Sequence, residues 1–271
     1  MQNKLIEETK VYYKGLYESV KKFNGKKKLT ICPAIHGGDY FNSDSRTKIM
    51  FVGRAINGWC ETCERDFETF INFIGHCNGN CALDWVVGEN YWSNCNKCPI
   101  AENNNRDANA ESAKKFVFKS HFWQLVKYIC IKENDLTEND WFKRIVWTNL
   151  HKASYSTGGN PPSSFYRKPR VEYCDNILKK EIEYYKPDKI YFITEKKGKL
   201  SDRAFSCTSP NNDVWFDKEN QFPETYEFLC KSGIEVFILE RPEQQKRSDV
   251  CDGKRNLKTI IAAACETEKS L

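Results

Sequence analysis

One stretch of the chain, residues 151–170, is rich in cationic, hydroxyl and aromatic side chains. It holds four basic residues, four serines and three aromatic rings, and it has no aspartate or glutamate. Cations and hydroxyls bind phosphate oxygens, while aromatic rings stack on bases. The stretch therefore predicts a nucleic-acid surface, the alternative being a solvated loop with scattered charges. The predicted contacts are Lys152, Ser163, Ser164, Arg167, Lys168 and Arg170, joined by Lys246 and Arg247 from a second basic segment.

A second chemical signal is a cluster of cysteines between residues 60 and 98. The spacing is CxxC, Cx3C and CxxC, at Cys60, Cys63, Cys77, Cys81, Cys95 and Cys98. Such pairs can hold a structural zinc ion or an iron–sulfur cluster. The alternative is a cysteine-rich insertion with free thiols. The chain has 13 cysteines, an odd number, and its N-terminus has no export signal. We therefore expect reduced thiols in a cytoplasmic protein.

A third signal is a buried strand that opens into a loop with two glycines. The apolar run at 49–52 is followed by Gly53, Arg54 and Gly58. A continuous apolar run is typical of a strand covered on both faces. In open α/β sheets, ligands bind beyond the carboxyl ends of such strands. The loop is thus a candidate substrate site, an ordinary turn from strand to helix being the alternative.

Four apolar segments must position these groups. They predict strands near 48–53, 144–149, 188–194 and 234–239, with helical segments between them that include about 115–131 and 171–185. Residues 29–47 are expected to be irregular, and a short apolar helix is expected at 256–265. Alternating strands and helices indicate a parallel four-stranded sheet in a three-layer α/β/α domain. In that arrangement the loops after the first, second and fourth strands meet at one edge of the sheet.

The basic charge is concentrated at the N-terminus. Residues 1–28 form a predicted amphipathic helix and basic run with eight lysines and three glutamates, which accounts for the net charge of +5. The overall charge is therefore no argument for nucleic-acid binding by the rest of the chain. We expect residues 29–271 to form a single domain with a cysteine-rich insertion at about 60–110. No apolar stretch approaches the roughly 18 residues of a membrane span, so we expect no membrane partner.

The segments at the strand ends resemble those of the uracil-DNA glycosylase superfamily. The corresponding motifs are GRAINGW at 53–59, TNLHKASYSTGGNPPSS at 148–164 and ERPEQQKR at 240–247, and KPD at 186–188 precedes the third strand. The resemblance covers about residues 45–262. It implies a parallel four-stranded sheet between helices. It also implies a DNA-repair hydrolase that cleaves the N-glycosidic bond of a flipped, damaged or deaminated base in DNA.

The resemblance assigns roles to individual residues. Asn57 lies near the position of the family's catalytic aspartate and would orient a water through its amide, because an asparagine cannot act as a general base. Arg241 replaces the family's histidine and would stabilise the leaving base with donors and a permanent charge. Asn149 would read the edge of the base. Either Trp59 or Phe67 would stack on it. The implied substrate-binding residues are Gly53, Arg54, Gly58, Trp59 and Asn149.

Three functions are compatible with these patterns. The first is the base-excision enzyme, whose chemistry requires no cofactor. The second is a nucleic-acid-binding module of the same fold without catalysis, and chemical competence at Asn57 and Arg241 separates it from the first. The third is an unrelated α/β enzyme that acts on a small molecule. The absence of acidic residues from 151–170 favours the first two functions over this one.

Overall fold

Parallel strands run through the middle of the protein and carry the candidate site at their carboxyl ends. The computed structural model describes residues 2–23, 29–41, 47–55, 66–80, 121–155, 169–195 and 222–240. Its strands are β1 (Leu29–Ile31), β2 (Ile35–His36), β3 (Ile49–Ala55), β4 (Ile145–His151), β5 (Ala153–Tyr155), β6 (Lys189–Glu195) and β7 (Glu235–Glu240). Its helices are α1 (Gln2–Lys21), α2 (Phe67–Asn80), α3 (His121–Tyr128), α4 (Arg170–Tyr185) and α5 (Pro223–Ser232).

The main sheet has five strands in the order β2-β4-β3-β6-β7. β4, β3, β6 and β7 are parallel neighbours, whereas β2 pairs with β4 in the antiparallel sense. The four predicted strands agree with these parallel strands to within two residues at each end. The sheet is nevertheless mixed and not purely parallel, because residues 29–47, expected to be irregular, contribute β2. β1 and β5 form a separate two-stranded antiparallel sheet.

Helices cover both faces of the main sheet, since the side chains of its strands alternate between two apolar clusters. On one face, α1, α2, α4 and α5 pack over residues that include Met50, Val52, Val146, Ile190 and Phe192. On the other, α3 packs over residues that include Phe51, Trp147, Tyr191 and Ile193. Because both faces of the sheet are covered, the sequences of these strands are continuous apolar runs. The architecture is broadly α/β.

The predicted N-terminal helix is α1, and it lies against α2 and α4. Its Tyr17 ring packs on Phe67 and Phe70 of α2, with centroids 5.4 and 5.2 Å away. Gly15 allows close approach to α4, because a Cβ there would lie only 2.4 Å from the ring of Tyr173. The helix therefore buries its apolar side against the body of the protein.

Two further helical features differ from the expected pattern. The helix expected from about residue 115 to 131 is described from His121 and changes to a π-helical turn at Ile129–Glu133. α5 lies between β6 and β7, where the alternation of strands and helices predicts a helix but does not give its bounds. The short helix expected at 256–265 lies outside the described residues. In the described part of the chain, no helix is long and apolar enough to cross a membrane.

Candidate functional site

The carboxyl ends of β3 and β4 lie side by side and bring distant residues together. Gly53 pairs with Asn149 and Ala55 pairs with His151. On its other side, Gly53 pairs with Ile193 of β6. Because these strands are parallel, their polar ends meet at the same edge of the sheet. This edge is where the sequence predicted a substrate site.

Gly53 lies directly against the amide of Asn149. A Cβ at Gly53 would be 2.6 Å from Asn149 Oδ1, closer than such atoms approach in proteins. Asn149 is only 3% exposed. An asparagine side chain offers one acceptor oxygen and two N–H donors. Because Gly53 has no side chain, there is room for the buried amide of Asn149 at the carboxyl ends of β3 and β4.

An aromatic ring borders the same point. The Phe122 ring of α3 has its Cε2 atom 3.6 Å from the position a Cβ would take at Gly53. Phe122 is half-buried and makes an edge contact with Trp123, whose ring in turn packs on Trp147 of β4. These contacts hold the first turn of α3 over the sheet edge. An amide and an aromatic face thus lie beside one glycine.

A histidine and an arginine follow at the same edge. His151 is 1% exposed, and its ring lies 5.9 Å from that of Phe222. Burial lowers the pKa of His151 from 6.5 to about 3, and the nearby positive charge of Arg54 contributes to the lowering. The imidazole is therefore neutral at physiological pH. A neutral imidazole has one N–H donor and one acceptor nitrogen.

Thr194 adds a buried hydroxyl at the end of β6. Its side chain is fully buried, and among the described residues its Oγ1 has no hydrogen-bond partner. Ile193 of β6 pairs with Gly53 of β3, and the next residues of these two strands are Thr194 and Arg54. Adjacent parallel strands in this register place both on the same face of the sheet.

Lys152 lies inside the protein, which corrects its expected role as a phosphate contact. Its side chain is 0% exposed, and its ammonium group forms an ion pair with Glu181 of α4. The ammonium also donates to Thr148 Oγ1 at 2.5 Å. His151, Lys152, Ala153 and Ser154 are all buried, so residues 151–154 do not belong to an exposed loop. The segment contributes instead to β4 and β5.

Of the other predicted nucleic-acid contacts, Arg170 is the one that belongs to the described residues. Arg170 begins α4 and is partly exposed. Ten of the predicted catalytic, substrate-binding and phosphate-binding residues lie outside the described part of the chain. They are Asn57, Gly58, Trp59, Ser163, Ser164, Arg167, Lys168, Arg241, Lys246 and Arg247. Phe67, one of two suggested stacking rings, packs instead against α1.

The proposed metal ligands are also largely outside the described part of the chain. Cys77 belongs to α2, and the other five predicted ligands are not described. Among the described residues, no group of histidine, cysteine and carboxylate side chains is arranged to hold a metal ion. Cys32, Cys130 and Cys174 are buried free thiols, whereas Cys230 is disulfide-bonded. The expectation of reduced thiols is therefore wrong at Cys230.

Sequence reasoning missed three side chains at this edge, namely Phe122, His151 and Thr194. Phe122 fits the helical apolar repeat at about 115–131, and no pattern in the sequence placed it at the site. His151 and Thr194 come at the ends of apolar runs, and the chemistry of such positions becomes visible only when the strand register is known. The usable signal was a polar residue near the carboxyl end of a predicted strand: Thr194 is the last residue of 188–194, and His151 lies two residues after 144–149.

Comparison of the chain with models of known protein families gives no match, and comparison with curated proteins gives none either. The chemistry of the strand-end site is therefore the basis for a functional assignment.

Proposed function

We propose that the protein is a uracil-DNA glycosylase-like enzyme that hydrolyses the N-glycosidic bond of a damaged or deaminated base in DNA. The observation that carries this proposal is the buried amide of Asn149, held against Gly53 at the carboxyl edge of two adjacent parallel strands. The base would be flipped out of the DNA stack to reach this edge. The protein would act in base excision repair in the cytoplasm.

The amide of Asn149 suits recognition of a pyrimidine edge. Such an edge presents a carbonyl oxygen beside a ring N–H, and one asparagine amide can pair with both. Asn149 is buried, and its Oδ1 lies close to Gly53, which limits the room for its amide to move. A fixed polar group discriminates strongly, because a base with the wrong pattern leaves it unpaired.

Phe122 is the described aromatic ring best placed to stack on the base. It borders the same glycine as the Asn149 amide. A flipped base is commonly held by stacking on an aromatic or apolar side chain while its edge is read by hydrogen bonds. In this proposal Phe122 takes the role that the sequence suggested for Trp59 or Phe67.

The chemistry proposed for the site is a hydrolysis at the sugar. Water, oriented by Asn57, attacks C1′ of the deoxyribose as the bond from C1′ to the base nitrogen breaks. The bonding electrons leave with the base, whose negative charge Arg241 stabilises. The attacking water loses a proton to solvent, and the departing base anion takes up a proton from solvent. The products are the free base and an abasic site. Arg54, the residue after Gly53, adds a permanent positive charge at the strand end from the face of β3 opposite the Asn149 amide.

The architecture supports this proposal. Four of the five strands of the main sheet are parallel neighbours, and helices cover both of its faces. We propose one domain at residues 29–271, with residues 1–28 as an N-terminal extension. The cysteine-rich insertion can carry a structural zinc ion or an iron–sulfur cluster, and the hydrolysis needs neither.

The test is a base-release assay on oligonucleotides that contain uracil, hypoxanthine, xanthine or hydroxymethyluracil, each single- and double-stranded. Binding is measured in the same samples. Release of one of these bases supports the proposal. Binding without release would assign the protein as a binding module of this fold, and the absence of both would favour an enzyme that acts on a small molecule.

A further inference from the structure

A buried polar network lies on the opposite face of β4 from the Asn149 amide. Glu181 of α4 accepts hydrogen bonds from Thr148 Oγ1 at 2.7 Å, from the backbone N–H of Ala34 at 3.2 Å and from the ammonium group of Lys152. Lys152 also donates to Thr148 at 2.5 Å. The side chains of Lys152 and Glu181 are 0% and 1% exposed. We define Thr148, Lys152 and Glu181 as the buried network.

The network holds the backbone on both sides of the site residues. Thr148 immediately precedes Asn149, and Lys152 immediately follows His151. The peptide of Lys152 is fixed as well, because its carbonyl accepts from the N–H of Cys32 at 2.8 Å and its N–H donates to Cys174 Sγ at 3.5 Å. The segment that carries Asn149 is thus clamped at both ends.

Stability alone is a poor explanation for this network. Two charges lose their hydration when they are buried, and replacing a buried ion pair by apolar residues of similar size is often neutral or stabilising. Removing only one partner is harmful, because an unpaired charge remains in the core. A network of this kind is better explained by a need to hold one arrangement of the backbone.

We infer that the buried network positions Asn149 for base recognition, with Lys152 and Glu181 acting as positioning residues that do not touch the substrate. The inference rests on the function proposed above. The network sets the position of β4 from the α4 side, and the Asn149 amide then meets the backbone of Gly53 on the α3 side. Movement of the β4 end would carry the amide out of line with the base.

The test uses two double variants that leave no unpaired charge. Lys152→Met with Glu181→Gln removes both charges, and the glutamine amide keeps an acceptor for Ala34 and a donor for Thr148. Lys152→Met with Glu181→Leu removes the polar tie to β4 as well. The matched control is Lys179→Met with Glu224→Gln, which removes a partly exposed 2.9 Å ion pair between α4 and α5.

Two readouts separate positioning from stability. The first is base discrimination, measured as the ratio of kcat/KM for the preferred base to that for a poorly cleaved one. The second is the nitrogen–proton NMR resonance of the Asn149 side-chain amide in the protein without DNA. Circular dichroism and the Tm establish that each variant is folded.

The inference predicts at least a tenfold loss of discrimination and a shifted Asn149 resonance in the leucine variant. The glutamine variant stays within threefold of the wild type, and the control within twofold. Wild-type discrimination and an unmoved resonance in the folded leucine variant would overturn the inference. If that variant does not fold, Thr148→Val takes its place, with a smaller change in the same direction expected and an unmoved resonance overturning the inference.

The proposed function and the positioning inference can fail separately. If the wild-type protein releases no base from DNA, the proposed function fails. The Asn149 resonance still decides whether the buried network holds the amide: a shift in the leucine variant supports the positioning, and an unmoved resonance contradicts it.

Discussion

At the scale of single residues, the candidate site depends on two contacts: Gly53 with the Asn149 amide, and the buried Lys152 with Glu181. Gly53 could be identified as a loop glycine from the sequence, but its need to lack a side chain comes from Asn149, which is distant in the chain. Lys152 belongs to a segment without acidic residues, so the sequence predicts that it is a cation at the surface. Its partner, Glu181, lies 29 residues further on, in a helix that folds back over β4. No local pattern contains that information.

Replacement of Gly53 by alanine is expected to displace the Asn149 amide, because the new Cβ would lie 2.6 Å from Oδ1. Loss of one or two hydrogen bonds to the base costs about 1–3 kcal/mol, so base release by Gly53→Ala should fall by about 10- to 100-fold. Gly38→Ala is the control, since a Cβ there meets nothing within 4 Å. Unchanged release kinetics in Gly53→Ala would argue against a role for this contact.

His151 makes the stability of the protein depend on pH. Its folded pKa of about 3 lies below the ordinary value of 6.5. Between these values the unfolded chain binds the proton and the folded protein does not, so stability is complete above pH 6.5 and is lost as the pH falls. The loss approaches about 1.4 kcal/mol per pH unit in the lower part of the window.

His151→Gln should remove this contribution. Urea unfolding at pH 7, 5.5 and 4 would show the wild type losing about 3 kcal/mol more than the variant by pH 4. Unfolding free energies that fall in parallel for the two proteins would contradict a buried, neutral His151.

At the scale of elements, long periodic segments were predictable and short or remotely supported ones were not. β3, β4, β6 and β7 are marked by apolar runs. β2 has two residues, too few for any periodicity. α5 begins at Pro223 without a side-chain cap from its own N-cap residue. Its cap comes from α4, where Asp175 accepts hydrogen bonds from the N–H groups of Glu224 and Thr225 at 2.9 Å.

Asp175→Ala is expected to lower the free energy of unfolding by about 2 kcal/mol, because two N–H groups at the start of α5 lose their acceptor. Asp39→Ala is the control, since Asp39 is exposed, and it should change stability by less than about 0.5 kcal/mol. Urea unfolding measures both. Equal stabilities of the two variants would show that the cap from α4 is not what stabilises α5.

At the scale of the whole molecule, parallel strands turn distant segments into neighbours. The order β4-β3-β6 brings Asn149, Gly53 and Ile193 into one row. This convergence was predictable from the alternation of strands and helices, because parallel strands end at a common edge. The identity of the groups that meet there depends on register, and a shift of one residue would turn each side chain to the opposite face.

DNA binding through the predicted basic segment should depend steeply on salt. Arg167→Ala with Lys168→Ala is expected to reduce the slope of log K against log salt by roughly one for each lost phosphate contact. The control is Lys14→Ala with Lys132→Ala, two exposed lysines that are not among the predicted nucleic-acid contacts. Identical slopes for the wild type and the Arg167/Lys168 variant would exclude these two residues from the phosphate contacts.

The central claim is that the Asn149 amide reads a flipped base, and the most direct test is the release of free base from DNA by matched asparagine variants. Asn149→Ala removes the buried amide, while Asn176→Ala removes an exposed one whose hydrogen bond goes to the carbonyl of Glu172 in its own helix. The account predicts that the wild type and Asn176→Ala release the base at similar rates and that Asn149→Ala is slower by about 10- to 100-fold. Equal release by all three proteins, or no release by the wild type from any base tested, would contradict it.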